Sequence, residues 1–365
     1  EMRHRLETVM GQGTVGSQFS KHGMWIGTFH GLAHRFLRTH YREAKLPESF
    51  QVIDSDDQHR LIRRLLKSLN IDEKRYPPKQ IMYYINGKKD EGLRPKHIDS
   101  FDPNEQMMIK VYEAYQQACD RAGLVDFAEI LLRSHEVLAT HPDVLSHYRK
   151  RFRHILVDEF QDTNGIQYAW IQLLSGGHPG GVAEQLEPSY VMIVGDDDQS
   201  IYGWRGAKIE NIHRFKEDFN QVETIRLEQN YRSTANILKA ANAVIANNSD
   251  RLGKDLWTEG KEGDPIAVYS SFNELEESRF VVGNIKKWQE DGGSLSDTAI
   301  LYRNNAQSRV LEEALLQAGI KYRIYGGLRF FERQEIKDAL AYLRIIANRD
   351  DDAAFERVIN TPARG

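Results

Sequence analysis

The chain has 365 residues, 40% of them apolar and 10% aromatic, enough at this length for at least two cores. A formal charge of -4 gives no overall attraction to polyanions, so contact with nucleic acid has to come from local placement of cations and rings. The lone Cys119 excludes an internal disulfide and thiolate zinc clusters, and no run approaches the roughly 20 apolar residues of a membrane span. A soluble, unexported protein of a reducing, cytoplasmic compartment is expected. The charged start Glu1-Met2-Arg3-His4-Arg5 and the close at Pro362-Ala363-Arg364-Gly365 read as the ends of an internal piece of something longer.

In chain order, residues 24–29 read as a short strand and residues 31 to about 40 as a basic, aromatic-bearing helix. From about 41 to 152 the pattern is amphipathic helices. One opens with the capping box Ser55-Asp56-Asp57-Gln58 and stripes Leu61, Ile62, Leu65, Leu66 and Leu69 along one side. Another covers 105–122, with Met108, Val111, Tyr112 and Tyr115 inward, Cys119 packed on the same face and Gly123 as its stop. This block has the character of an insertion into an α/β frame. The frame resumes with two apolar strands, Ile155-Leu156-Val157 and Val191-Met192-Ile193-Val194, separated by a helix near 167–174 and a Gly- and Pro-containing loop at 176–188.

Beyond residue 224 the alternation restarts. Strands are expected at 224–227, 266–269, 298–302 and 322–325, with helices at 233–246, 274–289 and 306–317 between them. Strands alternating with helices imply parallel βαβ units and a second α/β lobe. After Gly327 the pattern turns helical, with Ile336, Leu340 and Leu343 on one face.

The most informative stretch is the first strand running abruptly into Asp158-Glu159-Phe160-Gln161-Asp162. The second runs likewise into Gly195-Asp196-Asp197-Asp198-Gln199. Carboxyl edges of strands are where open α/β sheets bind ligands, and acids delivered there suit Mg²⁺ and a nucleotide. Nucleotide hydrolysis needs a metal, a group that orients the attacking water, and a cation for the charge of the transition state. Asp158 is the candidate for Mg²⁺, directly or through water, and Glu159 for the base. Gln199 is placed to donate to a γ-phosphate. Arg232, beside a helix start in Gln229-Asn230-Tyr231-Arg232-Ser233-Thr234, is the candidate arginine finger, and Tyr231 a stacking partner for a purine. An ordinary helix cap by Ser233 with a surface arginine is the alternative.

Ser200-Ile201-Tyr202-Gly203-Trp204-Arg205-Gly206-Ala207 sets Tyr202, Trp204 and Arg205 among glycines, as in a base-stacking platform; a packed Trp204 is the plain alternative. Phe29 and His30, followed by His34, Arg35 and Arg38, offer a ring and local charge for a nucleic-acid backbone, or only a wetted helix face. Lys88, Lys89 and Arg303 are single-residue candidates of the same kind.

Taken together, Val157–Asp162, Gly195–Ala207 and Gln229–Thr234 closely resemble the motor motifs of UvrD/Rep-type superfamily 1 DNA helicases. Gly27–Gly31, Gly123–Phe127, Tyr302–Asn305 and Phe330–Glu335 fit the same family, so the similarity spans the chain. The resemblance implies an α/β fold of two RecA-like parallel-sheet lobes with a helical insertion in each, both lobes incomplete here. The expected bounds are 1–40 and 153–228 for the first lobe, 41–152 for its insertion, 229–326 for the second lobe and 327–365 for the start of its insertion. It further implies ATP and Mg²⁺ as cofactors and ATP-driven 3′ to 5′ movement on single-stranded DNA, unwinding junctions in repair and replication as a monomer or weak homodimer. Asp158, Glu159, Gln199 and Arg232 would meet the magnesium and phosphates, and Tyr231 the adenine. Phe29, His30, Tyr202, Trp204, Arg205 and Arg303 would line the DNA path. The family's Gly-x-x-x-x-Gly-Lys-Thr phosphate loop does not occur in these residues, so the piece by itself is expected to be inactive. The loops at 11–22 and 176–189 look longer than the family's. The helicase portion of a recombination nuclease, or a non-catalytic DNA-binding module, are the rival readings.

Overall fold

The computed structural model describes residues 24–176, 189–219, 221–249, 251–325 and 334–359, with 361, 362 and 364. The expected long loops at 11–22 and 177–188, and the Phe330–Arg333 part of one motif, lie outside the described residues. The chain divides into two units, residues 1–226 with 248–254, and 227–247 with 255–365.

In the first unit, helix α1 spans Phe29–Thr39. The strand expected at 24–29 is not there. Thr28 is the extended N-cap and its hydroxyl accepts from Gly31 N at 3.2 Å, so Phe29 and His30 begin a helix instead of ending a strand. Strand β1 (Gln51–Val52) leads to α2 (Ser55–Ser68), α3 (Pro78–Asp90) and α4 (Pro103–Ala122). The cap of α2 is Asp54, whose carboxylate accepts from Asp57 N at 2.9 Å, one residue ahead of the capping box expected at Ser55. α4 ends at Gly123 as its sequence requires. φ there is +64°, and a Cβ would meet Pro47 Cγ at 2.6 Å, so only glycine fits.

β2 (Leu124–Val125) pairs in parallel with β1, and α5 (Phe127–Thr140) and α6 (Pro142–Arg151) follow. Two cores result. Leu61, Ile62, Leu66, Ile81, Ile85, Val111, Tyr112, Tyr115 and Cys119 join α2, α3 and α4. Ala33, Phe36, Leu37, Leu131, Leu138, Tyr148, Trp170 and Leu174 join α1, α5, α6 and α7 (Gly165–Ser175).

Lys89 sits between these helices. As a residue near the end of α3 it was a candidate for DNA contact, but it is fully buried. Its Nζ lies 2.7 Å from Asp126 and 2.9 Å from Glu129, because its place on α3 faces α5. Glu129 in turn accepts from Arg94 at 2.8 Å and from Arg133 at 2.6 Å. A buried charge survives only when paired, and here every one is.

The sheet that matters for function is β3 (His154–Val157) beside β4 (Tyr190–Ile193), parallel, with Val157 opposite Ile193. Ile155, Val157, Val191 and Ile193 pack on Phe160, Tyr168 and Ile171 and on Phe215 of α8 (Glu210–Asp218). Leu156 and Met192, on the other face, are 74% and 57% exposed. Among the described residues the two strands are thus covered on one face.

The second unit contains α9 (Ala235–Ile245), α10 (Glu274–Glu290), α11 (Ser308–Gln317), α12 (Gln334–Ala347) and α13 (Asp352–Val358). Val282, Ile285, Leu315 and Ile320 form one small core, and Ala341, Ala354 and Val358 another. The strands expected at 224–227, 266–269, 298–302 and 322–325 have no ladder among the described residues; the one strand-like contact of this unit is an isolated parallel bridge, Gln229 to Trp257. Apolar alternation marks where a strand can form, but a strand exists only when a neighbour takes its N–H and C=O groups. Leu227, Val268 and Leu301 accordingly stand 80%, 94% and 92% exposed.

Candidate nucleotide site and base-stacking loop

At the end of β3 the ladder continues for two more bonds, Val194 N to Val157 O at 2.8 Å and Phe160 N to Val194 O at 3.0 Å. The two strand-end loops are therefore held edge to edge. Between them Glu159 has φ +51° and ψ +44°, a left-handed backbone that costs a non-glycine residue about 1–2 kcal/mol. Asp158 Oδ1 accepts from Glu159 N at 3.0 Å, and both carboxylates are exposed.

Gln161, only 1% exposed, joins the loops. Its amide Nε2 donates to Glu159 Oε2 at 2.7 Å, and its Oε1 accepts from Asp196 N at 3.1 Å. A Cβ on Gly195 would lie 2.7 Å from that Oε1, so glycine at 195 is what lets the amide approach. No role was expected for Gln161. The available signal was an uncharged amide two residues past the acids, in the Phe160–Asp162 turn beside the buried ring of Phe160.

The acids of the second loop are not free ligands. Arg251 holds Asp198 with two bonds, Nε to Oδ1 at 2.8 Å and a terminal nitrogen to Oδ2 at 2.7 Å. Lys254 pairs with Asp196, and Leu252 N donates to Asp197 Oδ2 at 2.8 Å. Asp196, Asp197 and Asp198 do lie close enough to share a cation. Their charge is already met by Arg251 and Lys254. Burial raises the Asp196 carboxyl, but Lys254 and Gln199 outweigh it and hold it below the usual carboxylate range. Gln199 donates Nε2 to Asp196 Oδ2 at 2.7 Å, so it stands at the site tied to its own loop.

Directly beyond, Trp204 is 68% exposed and is not core filler. The Arg205 guanidinium lies 4.5 Å from the Trp204 ring centre and 4.8 Å from that of Tyr202, and the two rings are 6.5 Å apart. Gly206 follows with φ +89°. Phe29 and His30 are placed differently. Phe29 meets Trp170 edge-on at 6.3 Å and is half-buried against the core, while His30 meets Phe127 at 6.0 Å. Burial lowers the pKa of His30, partly offset by its hydrogen bond to the Phe127 backbone. His34 accepts from Arg38, and His30 and His34 join no metal-ligating group among the described residues.

In the second unit, Tyr231 is 84% exposed and its hydroxyl donates to Gln229 at 2.6 Å. Asn230 Oδ1 accepts from Arg232 N at 2.9 Å and Ser233 N at 2.8 Å. α9 starts at Ala235 with Thr234 as cap, so Ser233 does not cap it; Arg232 and Arg303 are exposed.

Residues 1–220 match the UvrD/REP helicase N-terminal domain, and residues 225–365 the UvrD-like helicase C-terminal domain. The chain belongs to the UvrD/Rep helicase family. It is 66% identical to DNA helicase II of Escherichia coli (strain K12) and 63% identical to that of Haemophilus influenzae, in each case across 100% of this chain and 48% of the relative. The ATP-dependent DNA helicase PcrA of Bacillus subtilis (strain 168) is 42% identical over the same shares. The chain thus spans about half the length of these UvrD/Rep relatives. No helix among its described residues is long and apolar enough to cross a membrane.

Proposed function

We propose that this chain is the motor part of an ATP-dependent DNA helicase that moves 3′ to 5′ on single-stranded DNA and opens duplex junctions in repair and replication, in the cytoplasm. One observation carries the reading: Gln161 fixes a left-handed Glu159 against the loop that leads into Gln199 and the Trp204 platform. An acid held in a strained backbone by a buried amide is a preorganised group, and strain of this kind collects at functional sites.

In the mechanism that follows, Glu159 orients the attacking water and takes its proton. Gln161 keeps the Glu159 carboxylate aimed. Gln199 meets the γ-phosphate, Arg232 offsets the charge that develops on transfer, and Tyr231 stacks on adenine. Asp158 fits a hard cation such as Mg²⁺, being an exposed carboxylate at a strand's end; the ion, when bound, would neutralise phosphate charge. Trp204, Tyr202 and Arg205 stack on bases, with Arg303, His30 and the rim of Phe29 along the same strand. The two RecA-like lobes, their helical insertions and a monomeric or weakly dimeric state belong to this proposal. So does the inactivity of the 365 residues by themselves, which hold no Gly-Lys-Thr phosphate loop.

The test uses the full-length protein. ATP turnover should rise on adding single-stranded DNA, and a duplex with a 3′ tail should be opened in preference to one with a 5′ tail. Turnover indifferent to DNA would reject the motor reading in favour of a binding module.

A further inference from the structure

One half-buried carboxylate has no part in that mechanism. Asp90, the last residue of α3, stands where three segments meet. Its Oδ1 accepts from Asn164 Nδ2 at 3.0 Å. Its Oδ2 would lie 3.8 Å from a Cβ on Gly206, the residue that closes the Tyr202–Arg205 platform. Its own carbonyl oxygen would stand 3.4 Å from a Cβ on Gly165, the first residue of α7.

Asn164 is fully engaged around this contact. Its Oδ1 caps α7 by accepting from Gln167 N at 3.0 Å, and its N–H donates to Gln167 Oε1 at 2.9 Å. Its carbonyl accepts from Asn211 at 3.3 Å. Asn211 also donates to Thr163 O at 3.0 Å, and Lys208 N donates to the same oxygen at 2.9 Å. The turn after Glu159 and the segment after Trp204 are thus sewn to each other through residues 163, 164, 208 and 211. One tie to the helical block is the Asp90 carboxylate, set beside the ion-paired Lys89 at the end of α3.

We propose that Asp90 is a positioning residue that couples the base-stacking loop to the Glu159 loop, so that nucleotide and single-stranded DNA sense each other through the Asp90–Asn164 contact. The inference rests on the functional reading above and adds the residue that transmits it. Coupling between two ligands is reciprocal and is measured as the factor by which one changes the affinity for the other.

The experiment measures the Kd of the full-length protein for a thymidine oligonucleotide, with and without a non-hydrolysable ATP analogue. Asp90→Ala should bring the ratio of the two Kd values close to one, with the Kd for each ligand alone within about threefold of wild type. Asp90→Asn keeps an oxygen acceptor for Asn164 and should retain the wild-type ratio, a rescue that a merely structural role would not single out. Asp90→Glu, with the carboxylate displaced by a methylene, should give an intermediate ratio and serves if the alanine variant does not fold. A wild-type ratio in Asp90→Ala and Asp90→Glu overturns the inference alone. A wild-type protein in which neither ligand alters the other overturns the functional reading and this inference with it.

Discussion

Glu159 offers a way to separate the cost of the site from its use. At φ +51° and ψ +44° its backbone carries about 1–2 kcal/mol that glycine would not. Glycine gives back about 0.5–1 kcal/mol through the greater freedom of the unfolded chain. Alanine removes the carboxylate but keeps the strain, and both variants leave the Gln161 amide without its partner at 2.7 Å, worth about 1–3 kcal/mol for a buried donor. Subtracting one variant from the other cancels that loss. Glu159→Gly is therefore expected to be more stable than Glu159→Ala by about 0.5–1 kcal/mol, read as a shifted midpoint in urea unfolding at unchanged slope. In the full-length protein both should lose DNA-stimulated ATP turnover by about 10²–10⁴-fold, the usual weight of a general base. Equal stability, or a less stable glycine variant, would refute the assignment of strain to this position.

Three further outcomes are expected. Lys89→Met strands Asp126 and Glu129 in the core, and although Arg94 and Arg133 still serve Glu129, a loss of about 3 kcal/mol should appear in chemical denaturation. Trp204→Ala should weaken single-strand affinity by about 1–3 kcal/mol at every salt concentration, leaving the salt slope unaltered, since a ring and not a cation is removed. Burial first, then the nearby Asp126 charge, pushes the Asp90 carboxyl up to about 7 from its ordinary 3.8. Between those values the folded state keeps a proton that the unfolded chain has released, so this contribution is full below 3.8 and is lost as pH rises through 7; Asp90→Asn should flatten that part of the stability profile.

What the sequence made legible follows from what is local. The strand-to-acid transitions at Val157 and Val194, the Gly123 stop and the exposed Trp204 loop each depend on a few neighbouring residues, and each stands where its pattern put it. The misses are long-range. Whether Asp196–Asp198 are bare or paired was decided by Arg251 and Lys254, more than fifty residues away. Lys89 looked like a surface cation because nothing near it in the chain announces Asp126 and Glu129. The segments at 266–269 and 298–302 have strand composition, but composition cannot supply the neighbouring backbone that turns it into a sheet. Phe29, expected at a strand end, instead packs its ring on Trp170 because Thr28 caps a helix there. Gln161 is the instructive case: its role appears only when the end of β3 is set beside Gly195.

The central claim is that the carboxylate gripped by Gln161 drives nucleotide hydrolysis for movement on DNA. Glu159→Gln in the full-length protein, assayed for ATP turnover on saturating single-stranded DNA, tests it most directly. Turnover should collapse while ATP is still bound with near-native affinity. A variant that hydrolyses ATP at the wild-type rate would contradict it.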